Sequence, residues 1–232
     1  MVYKKITTKC NDCRLRSNSI FAEVTRQELE KACFVPEVVS YSSSTSIVNS
    51  SLNNDAIFTL RKGNIKLVRS MPDGSMRITS LLKPGDTLGL RAWQTGDYKF
   101  DAISLNDVEL CRIPHREFER IRKYSKDLDR TVLNRLCKES ELAEVWITQF
   151  STGSVNQRFA SLLLFLASHQ NKTNSKTVKL LSRDDMASIL AVRPESVSRA
   201  VTQFKLDSLI EQNSRGEYTI NLPGLRKKLR QK

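Results

Sequence analysis

Three polar side chains near residue 195 have the types and the spacing of a set that reads DNA bases. Glu195, Ser198 and Arg199 stand at positions i, i+3 and i+4, which share one face of an α-helix. An arginine can donate two hydrogen bonds to guanine, a glutamate can accept one from the amino group of cytosine, and a serine can do either. We therefore expect these residues to contact base edges in the major groove of double-stranded DNA.

The stretch from Ser182 to Phe204 has the pattern of two short helices joined by a turn. Ser182 is suited to cap the first helix, and Pro194 is suited to the first turn of the second, where its missing N–H costs nothing. The apolar residues of both segments follow helical spacing and are Met186, Ile189, Leu190, Val197, Val201 and Phe204. Such a pair is a helix-turn-helix unit. The alternative is an ordinary helical hairpin with exposed charges.

Positive charge is concentrated around this unit. The chain holds 38 Lys and Arg against 25 Asp and Glu, a formal net charge of +13, and residues 151–232 hold 14 basic against 6 acidic side chains. Neutralising phosphates supplies much of the affinity of DNA-binding proteins. The expected phosphate contacts flank the reading face and are Arg193, Ser196, Thr202 and Lys205. A lysine-rich composition without a nucleic-acid partner is the alternative.

Five cysteines are present, and two of them stand close together as Cys10-x-x-Cys13. An odd number of cysteines argues against a disulfide framework. The pair alone is a weak signal for a metal site, because such pairs arise by chance. Cys33 and Cys137 fall on helical patterns, where a cysteine is usually a small buried apolar residue.

Short strands separated by turn signals occupy residues 36–112. The turns include Pro72-Asp73-Gly74 and Lys83-Pro84-Gly85-Asp86. Strands at roughly ten-residue spacing predict a β-sandwich or barrel. Before them, Thr25 and Glu28 predict a capping box at the start of a short helix.

Residues 126–150 predict one long helix. Its apolar residues recur at spacings of three, four or seven and form a seam suited to a partner helix. The seam residues are Leu128, Val132, Leu136, Ala143, Ile147 and Phe150. We expect this helix to dimerise the chain; an amphipathic helix packed only on its own domain is the alternative.

The remainder predicts a helix over 154–169, a short strand at 178–180, a β-hairpin over 210–221 and a basic helix over 222–229. The fold class is therefore α+β, with an N-terminal β domain, a long dimerisation helix and a C-terminal helix-turn-helix whose hairpin is a wing. We divide the chain into 1–24, an arm with the cysteine pair; 25–124, the β domain; 125–151, the dimerisation helix; and 152–232, the DNA-binding domain.

No apolar run approaches the ~20 residues that span a bilayer. Residues 1–5 are not followed by an apolar stretch, so we expect a cytoplasmic protein without a signal peptide. The chain has no glycine-rich phosphate loop, no His–Glu metal pair and no nucleophile elbow, and an enzyme is not expected. A small-molecule receptor or enzyme built on the strands, and an RNA-binding or architectural protein, are the competing classes.

The helix-turn-helix segment resembles that of the Crp/Fnr family of bacterial transcription regulators. That family reads DNA with a Glu-x-x-Ser-Arg or Glu-x-x-Gly-Arg motif, and this chain has Glu195-Ser196-Val197-Ser198-Arg199. The serine is similar to the Fnr branch and implies a TTGA-like half-site. The turns at residues 61–66 and 83–86 resemble those of the family's β-roll, a cyclic-nucleotide-binding fold. The resemblance covers nearly the whole chain and implies a homodimer, with RNA polymerase as a further partner.

The resemblance also bears on the ligand of the β-roll. In the family's nucleotide binders an Arg-Ser pair holds the cyclic phosphate and a nearby Glu holds the ribose. Phe100 and Asp101 stand where that pair is expected, and Thr87 stands near the place of the Glu. An aspartate without the arginine repels a phosphate. We therefore expect no cyclic nucleotide, and Phe100 is a candidate to fill the cleft.

In the oxygen-sensing Fnr branch, N-terminal cysteines and one β-roll cysteine hold a 4Fe–4S cluster. Cys10, Cys13 and Cys111 match three of those ligands, whereas Ser19 stands at the fourth place, where thiolate is usual. An oxygen ligand, recruitment of Cys33, a smaller or labile cluster and loss of the cluster all remain open. With a cluster the regulator would respond to oxygen, nitric oxide or redox state; without one it would have no cofactor or an unknown effector in the β-roll.

Overall fold

The computed structural model describes residues 2–7, 13, 15–50, 55–170, 176–214 and 216–230. Cys10 lies outside these residues. The strands are β1 (Val2–Thr7), β2 (Glu37–Tyr41), β3 (Ser46–Val48), β4 (Ala56–Lys62), β5 (Ile65–Ser70), β6 (Met76–Leu82), β7 (Thr87–Leu88), β8 (Asp101–Ser104), β9 (Val108–Pro114), β10 (Thr177–Val178), β11 (Ile210–Gln212) and β12 (Tyr218–Ile220). The helices are α1 (Arg26–Lys31), α2 (Leu90–Thr95), α3 (His115–Tyr124), α4 (Leu128–Phe150), α5 (Val155–Gln170), α6 (Arg183–Leu190), α7 (Pro194–Leu206) and α8 (Leu222–Leu229). The mixed fold class is confirmed.

The chain forms two compact units whose boundary cuts through α4. One unit contains residues 1–74 and 79–142, and the other contains residues 75–78 and 143–232. Among the described residues, no helix has the length and apolarity needed to cross a membrane.

The first unit is a β-roll. Its strands form a five-stranded sheet in the order β1-β2-β9-β4-β7, and β3, β8 and β5 belong to a four-stranded sheet in the order β3-β8-β5-β6. Buried side chains from both sheets, including Leu60, Leu110, Ile65 and Ala102, form one apolar core. The predicted turn between β4 and β5 depends on Gly63, because a Cβ atom there would lie 2.5 Å from the carbonyl oxygen of Asp107.

A second apolar cluster covers the other face of the five-stranded sheet. Ile57 and Ile113 point away from the first core, because neighbouring residues on a strand face opposite sides. They pack with Phe118 of α3, with Leu128 at the start of α4 and with other buried residues. The 3-10 helix Arg16–Asn18 precedes the stretch of the chain that reaches this cluster. The predicted capping box is present, since Thr25 accepts from the backbone of Glu28 and the Glu28 carboxylate accepts from the backbone of Thr25.

The second unit holds α5–α8 and a three-stranded sheet in the order β10-β12-β11. The rings of Phe159 and Phe204 meet edge to face with centroids 4.9 Å apart, joining α5 to α7. The apolar residues predicted for the two helices of the helix-turn-helix are all buried, at 2% exposure or less.

A short segment from the β5–β6 connection belongs to this second unit. The hydroxyl of Ser188 on α6 donates to the carbonyl of Met76 at 2.7 Å and accepts from the N–H of Ile78 at 2.8 Å. The indole N–H of Trp146 donates to the carbonyl of Ile78 at 3.0 Å. Three hydrogen bonds therefore tie the start of β6 to helices of the second unit.

Candidate nucleic-acid interface

The turn between α6 and α7 is set by local backbone chemistry. Ser182 caps α6, since its hydroxyl accepts from the N–H of Asp185 at 3.0 Å. The helix ends at Ala191, which takes a left-handed conformation with φ of 53°, and the N–H of Val192 returns to the carbonyl of Ala187 at 3.1 Å. The next helix then begins at Pro194, as its fixed φ and missing N–H favour. The helix-turn-helix expected from the sequence is formed.

Helix α7 separates its apolar and polar side chains onto opposite faces. The buried residues are Val197, Ala200, Val201 and Phe204. Glu195, Ser198 and Arg199 are exposed and share the opposite face. Neither Glu195 nor Arg199 makes an ion pair with another described residue, so both side chains are available to a partner. The structure thus brings the three predicted base-reading residues together on one accessible surface.

The predicted phosphate contacts lie around this face in different environments. Arg193 is the exposed N-cap of α7, and Ser196 is half-buried beside the reading face. The hydroxyl of Thr202 donates to the carbonyl of Ser198 at 3.1 Å, so its proton is already engaged. The ammonium of Lys205 stands 5.2 Å from the ring centroid of Tyr218, where a cation–π contact holds it against β12.

The hairpin β11–β12 forms the wing. Asn213 closes it, because its N–H donates to the carbonyl of Glu217 at 2.8 Å and its side-chain oxygen accepts from the Glu217 N–H at 3.0 Å. The basic helix α8 follows, and Lys228 on it pairs with Asp207 at 3.3 Å. Arg226 and Lys227 remain exposed.

Helix α4 buries three of the six predicted seam residues and leaves the other three exposed or partly exposed. Leu128, Val132 and Phe150 are buried inside their own chain, and Phe150 packs edge to face on Trp146. This revises the seam, because residues that fill the chain's own core leave no surface for a partner. Another row of residues on α4 has an alternating spacing of three and four and is exposed or partly exposed. Its members are Leu133, Leu136, Ser140, Ala143 and Ile147. Leu133, which the sequence analysis did not include, continues this heptad spacing and is exposed; we call these five residues the revised seam.

The stretch that corresponds to a cyclic-phosphate site is occupied by protein contacts. Phe100 packs against the β-roll core, 5.7 Å from the ring of Tyr98. The carboxylate of Asp101 accepts from both the N–H and the hydroxyl of Ser50, each at 2.8 Å. Thr87 is buried in β7. Phe100 and Asp101 are therefore both engaged in contacts within their own chain.

The described cysteines do not form a four-thiolate site. Cys13 and Cys111 are half-buried, and the described residues contain no group of three His, Cys, Asp or Glu able to hold a metal ion. Ser19 is buried; its hydroxyl donates to the carbonyl of Arg16 at 2.9 Å and accepts from the N–H of Phe21 at 3.2 Å. An oxygen engaged in this way is a poor substitute for the missing thiolate. Of the four ligand positions that the resemblance implies, the described residues therefore supply two thiols, Cys13 and Cys111, and one hydroxyl that is already engaged in hydrogen bonds.

Two further cysteines differ from expectation. Cys33 and Cys137 are exposed, so the prediction that both are buried apolar residues was wrong. Cys33 follows the end of α1 with a positive φ of 47°, and its thiol lies 3.9 Å from the carbonyl of Lys31. Cys137 lies on the solvent side of α4, because the buried face of that helix is turned about half a turn away.

Comparisons with known proteins agree with this architecture. The cyclic nucleotide-binding domain model matches residues 38–125, and the Crp-like helix-turn-helix domain model matches residues 157–228. The chain belongs to the Crp/Fnr family. Among its Crp/Fnr relatives, the transcriptional activator protein FnrL of Cereibacter sphaeroides is 26% identical over 212 residues, covering 88% of this chain and 85% of the relative.

The nitrogen fixation regulation protein FixK of Bradyrhizobium diazoefficiens is 25% identical over 199 residues, covering 84% of this chain and 83% of the relative. The structure of FixK2 from Bradyrhizobium japonicum shares the fold, with a TM-score of 0.75 and 19% identity over 84% of this chain and 97% of that one. This Crp/Fnr protein is a transcription regulator with a helix-turn-helix DNA-binding domain, and not an enzyme.

Proposed function

We propose that the chain binds DNA as a homodimer and reads a palindrome of two TTGA-type half-sites. The observation that carries this proposal is the surface of α7, on which Glu195, Ser198 and Arg199 stand together and exposed. The opposite face is fixed by packing, so these side chains are presented on a rigid element, as base recognition requires.

Each reading residue has a role that follows from its chemistry. Arg199 donates two hydrogen bonds to O6 and N7 of the guanine in the half-site, and Glu195 accepts from the amino group of a cytosine on the other strand. Ser198 contacts a neighbouring base edge. Arg193, Ser196 and Lys205 supply donors to phosphates, and Thr202 joins them only if its hydroxyl rotates away from Ser198.

The revised seam on α4 supports the homodimer. Leu133 and Ile147 are 61% and 63% exposed, and they stand fourteen residues apart, which is two heptads. Ala143 and Ser140 lie between them and are small enough to let two helices approach closely. A twofold pair would present two copies of α7 to half-sites about one helical turn, ~34 Å, apart on DNA.

The residues at the candidate cluster site favour a regulator that works without a resident cofactor. Ser19 is engaged in the backbone of its own segment. Regulation by oxygen, nitric oxide or redox state through Cys10, Cys13 and Cys111 is therefore the less supported form of the proposal.

The relatives support RNA polymerase as a partner. FnrL is named a transcriptional activator, and an activator that binds upstream of a promoter needs RNA polymerase as its partner.

We assign the four predicted segments as follows: residues 1–24 are the arm, 25–124 the sensor domain, 125–151 the dimerisation helix and 152–232 the DNA-binding domain. The regulator acts in the cytoplasm.

The test measures the affinity of the protein for DNA duplexes that differ in half-site sequence and spacing. Binding is measured by fluorescence anisotropy on a duplex with two TTGA half-sites, on one whose half-sites are scrambled, and on one whose half-sites are moved apart by half a helical turn. Tight binding to the first duplex alone, with two chains per duplex, is the expected result. Equal affinity for all three duplexes would overturn the sequence-specific dimer.

A further inference from the structure

The segment 16–24 is built into the core of the first unit. Ile20, Phe21 and Val24 are exposed by 0%, 2% and 1%, which is as complete as burial in the β-roll itself. They belong to the same apolar cluster as Leu128 and Val132 of α4. Phe21 also meets Phe34 edge to face, with centroids 5.3 Å apart. The segment therefore joins the start of the long helix to the β-roll through apolar packing.

Polar contacts close the segment on itself. The hydroxyl of Ser19 bridges the carbonyl of Arg16 and the N–H of Phe21. The guanidinium of Arg16 donates to the carbonyl of Val24, eight residues along the chain. The two ends of the segment are thus tied to each other by a hydrogen bond from a side chain to the backbone.

Asn18 is the point at which three parts of the first unit meet. The guanidinium of Arg135 on α4 donates to the carbonyl of Asn18. Gly85, in the turn before β7, lies so close that a Cβ atom on it would be 3.2 Å from the same carbonyl oxygen. Asp86 of that turn and Glu139 of α4 both interact electrostatically with Arg135.

We propose that residues 16–24 are a metal-independent clasp that fastens the first half of α4 to the β-roll. Three kinds of contact hold the segment in place. They are the apolar burial of Ile20 and Phe21, the hydrogen bonds of the Ser19 hydroxyl, and the hydrogen bond between Arg135 and Asn18. The consequence, which rests on the proposed homodimer and its DNA site, is that α4 is held for dimerisation whether or not iron is present. Ser19 serves the clasp and is not a substitute ligand.

The clasp is tested by hydrogen–deuterium exchange on the full chain. The reporting amides are those of Ser19, Ala22 and Val24, which donate to carbonyls of Arg16, Ser19 and Phe21 at 3.0, 3.2 and 3.2 Å. Protein purified in air with chelator, and shown by analysis to lack iron, is compared with the same protein reconstituted anaerobically with ferrous iron and sulfide. We expect protection of these amides to agree within about threefold between the two forms.

Exchange about tenfold faster in the iron-free form than in the reconstituted form would overturn the clasp. The matched variants are Arg135→Ala and Lys138→Ala, which remove basic side chains from the same helix. Arg135→Ala should speed exchange at Ser19 and Ala22 by about tenfold, as expected for loss of a charge-assisted hydrogen bond, and Lys138→Ala should leave it unchanged. Unchanged exchange in Arg135→Ala would also contradict the proposal, and the wild-type comparison decides the question if that variant fails to fold.

DNA binding separates this inference from the proposed function. The iron-free and reconstituted proteins should bind the TTGA palindrome with dissociation constants within about threefold of each other. If the amides are protected but neither form of the protein binds the palindrome, the proposed function is refuted and the clasp is retained. Palindrome binding that requires reconstitution would refute the clasp.

Discussion

Gly85 lies against Asn18 so closely that a Cβ atom on the glycine would stand 3.1 Å from the Cβ of the asparagine. Its φ is +100°, a conformation that residues with a side chain rarely adopt. Position 85 therefore requires a residue that can adopt a positive φ and that has no side chain to collide with Asn18.

Replacing Gly85 with alanine separates these requirements when it is compared with Gly74→Ala. Gly74 also has a positive φ, +81°, but nothing lies within 4 Å of a Cβ placed there. We expect Gly74→Ala to lower the free energy of unfolding by about 1–2 kcal/mol and Gly85→Ala by roughly 1 kcal/mol more. Urea denaturation of both variants measures the difference; equal losses would show that Asn18 moves away freely.

Replacing Arg199 with alanine should weaken binding to the matched half-site by about 1–3 kcal/mol and relax specificity at the guanine. Lys205→Ala is the control, because a phosphate contact contributes equally to every sequence. Anisotropy titrations against duplexes substituted at each half-site position give both effects. A uniform loss in Arg199→Ala would reassign that residue to the DNA backbone.

Replacing Ile147 with glutamate should shift the chain toward monomer, because a carboxylate enclosed between two helices loses its hydration without a partner. Leu142→Glu is the matched control: Leu142 is 46% exposed on the same helix but lies on the side away from the revised seam. Sedimentation velocity should show a dimer dissociation constant raised more than roughly tenfold for Ile147→Glu only. If Leu142→Glu dissociates the dimer instead, the seam lies on the other side of α4.

The raised pKa of Glu139 predicts that the free energy of unfolding depends on pH. Burial raises the pKa of Glu139 above its ordinary value of 4.5, a neighbouring Asp86 adds to the rise, and Arg91 and Arg135 oppose it. Because the folded form holds the proton more tightly than the unfolded chain, this group's contribution is full below about pH 4.5 and is lost as pH rises through the raised pKa. Glu139→Gln should therefore be more stable than the wild type at pH 7, and the gain should shrink on acidification. Urea denaturation across this pH range provides the measurement; a gain that is independent of pH would exclude this cause.

The helix-turn-helix was predictable because its signals are local. Ser182 as a cap, Pro194 at a helix start and apolar residues at helical spacing each specify backbone geometry within a few residues. Helices α2 and α3 were not predicted, since α2 has six residues between Gly89 and Gly96 and α3 follows β9 without a loop. Helix α2 is too short for a periodic pattern, and the ten-residue α3 buries only Phe118 and Ile121, so few apolar positions mark it.

The distribution of apolar side chains along α4 was only partly predictable. Periodicity finds an apolar stripe but does not say whether the chain itself covers it. Leu128 and Val132 are buried in the same apolar cluster as Ile20 and Phe21, which lie more than a hundred residues earlier in the chain. The contact of Arg135 with Asn18 is equally distant in sequence and left no local signal. Both contacts form only through tertiary packing, so the local sequence pattern does not reveal them.

The contacts of Ser188 and Trp146 with residues 76–78 have a consequence for cutting the chain into pieces. A fragment that begins after α4 would lack Met76, Ile78 and Trp146, and Ser188 would lose both of its hydrogen-bond partners. The DNA-binding half is therefore discontinuous in sequence, and no single cleavage site yields it whole. Limited proteolysis near Gly74 should loosen the helix-turn-helix although every residue of α6 and α7 is intact.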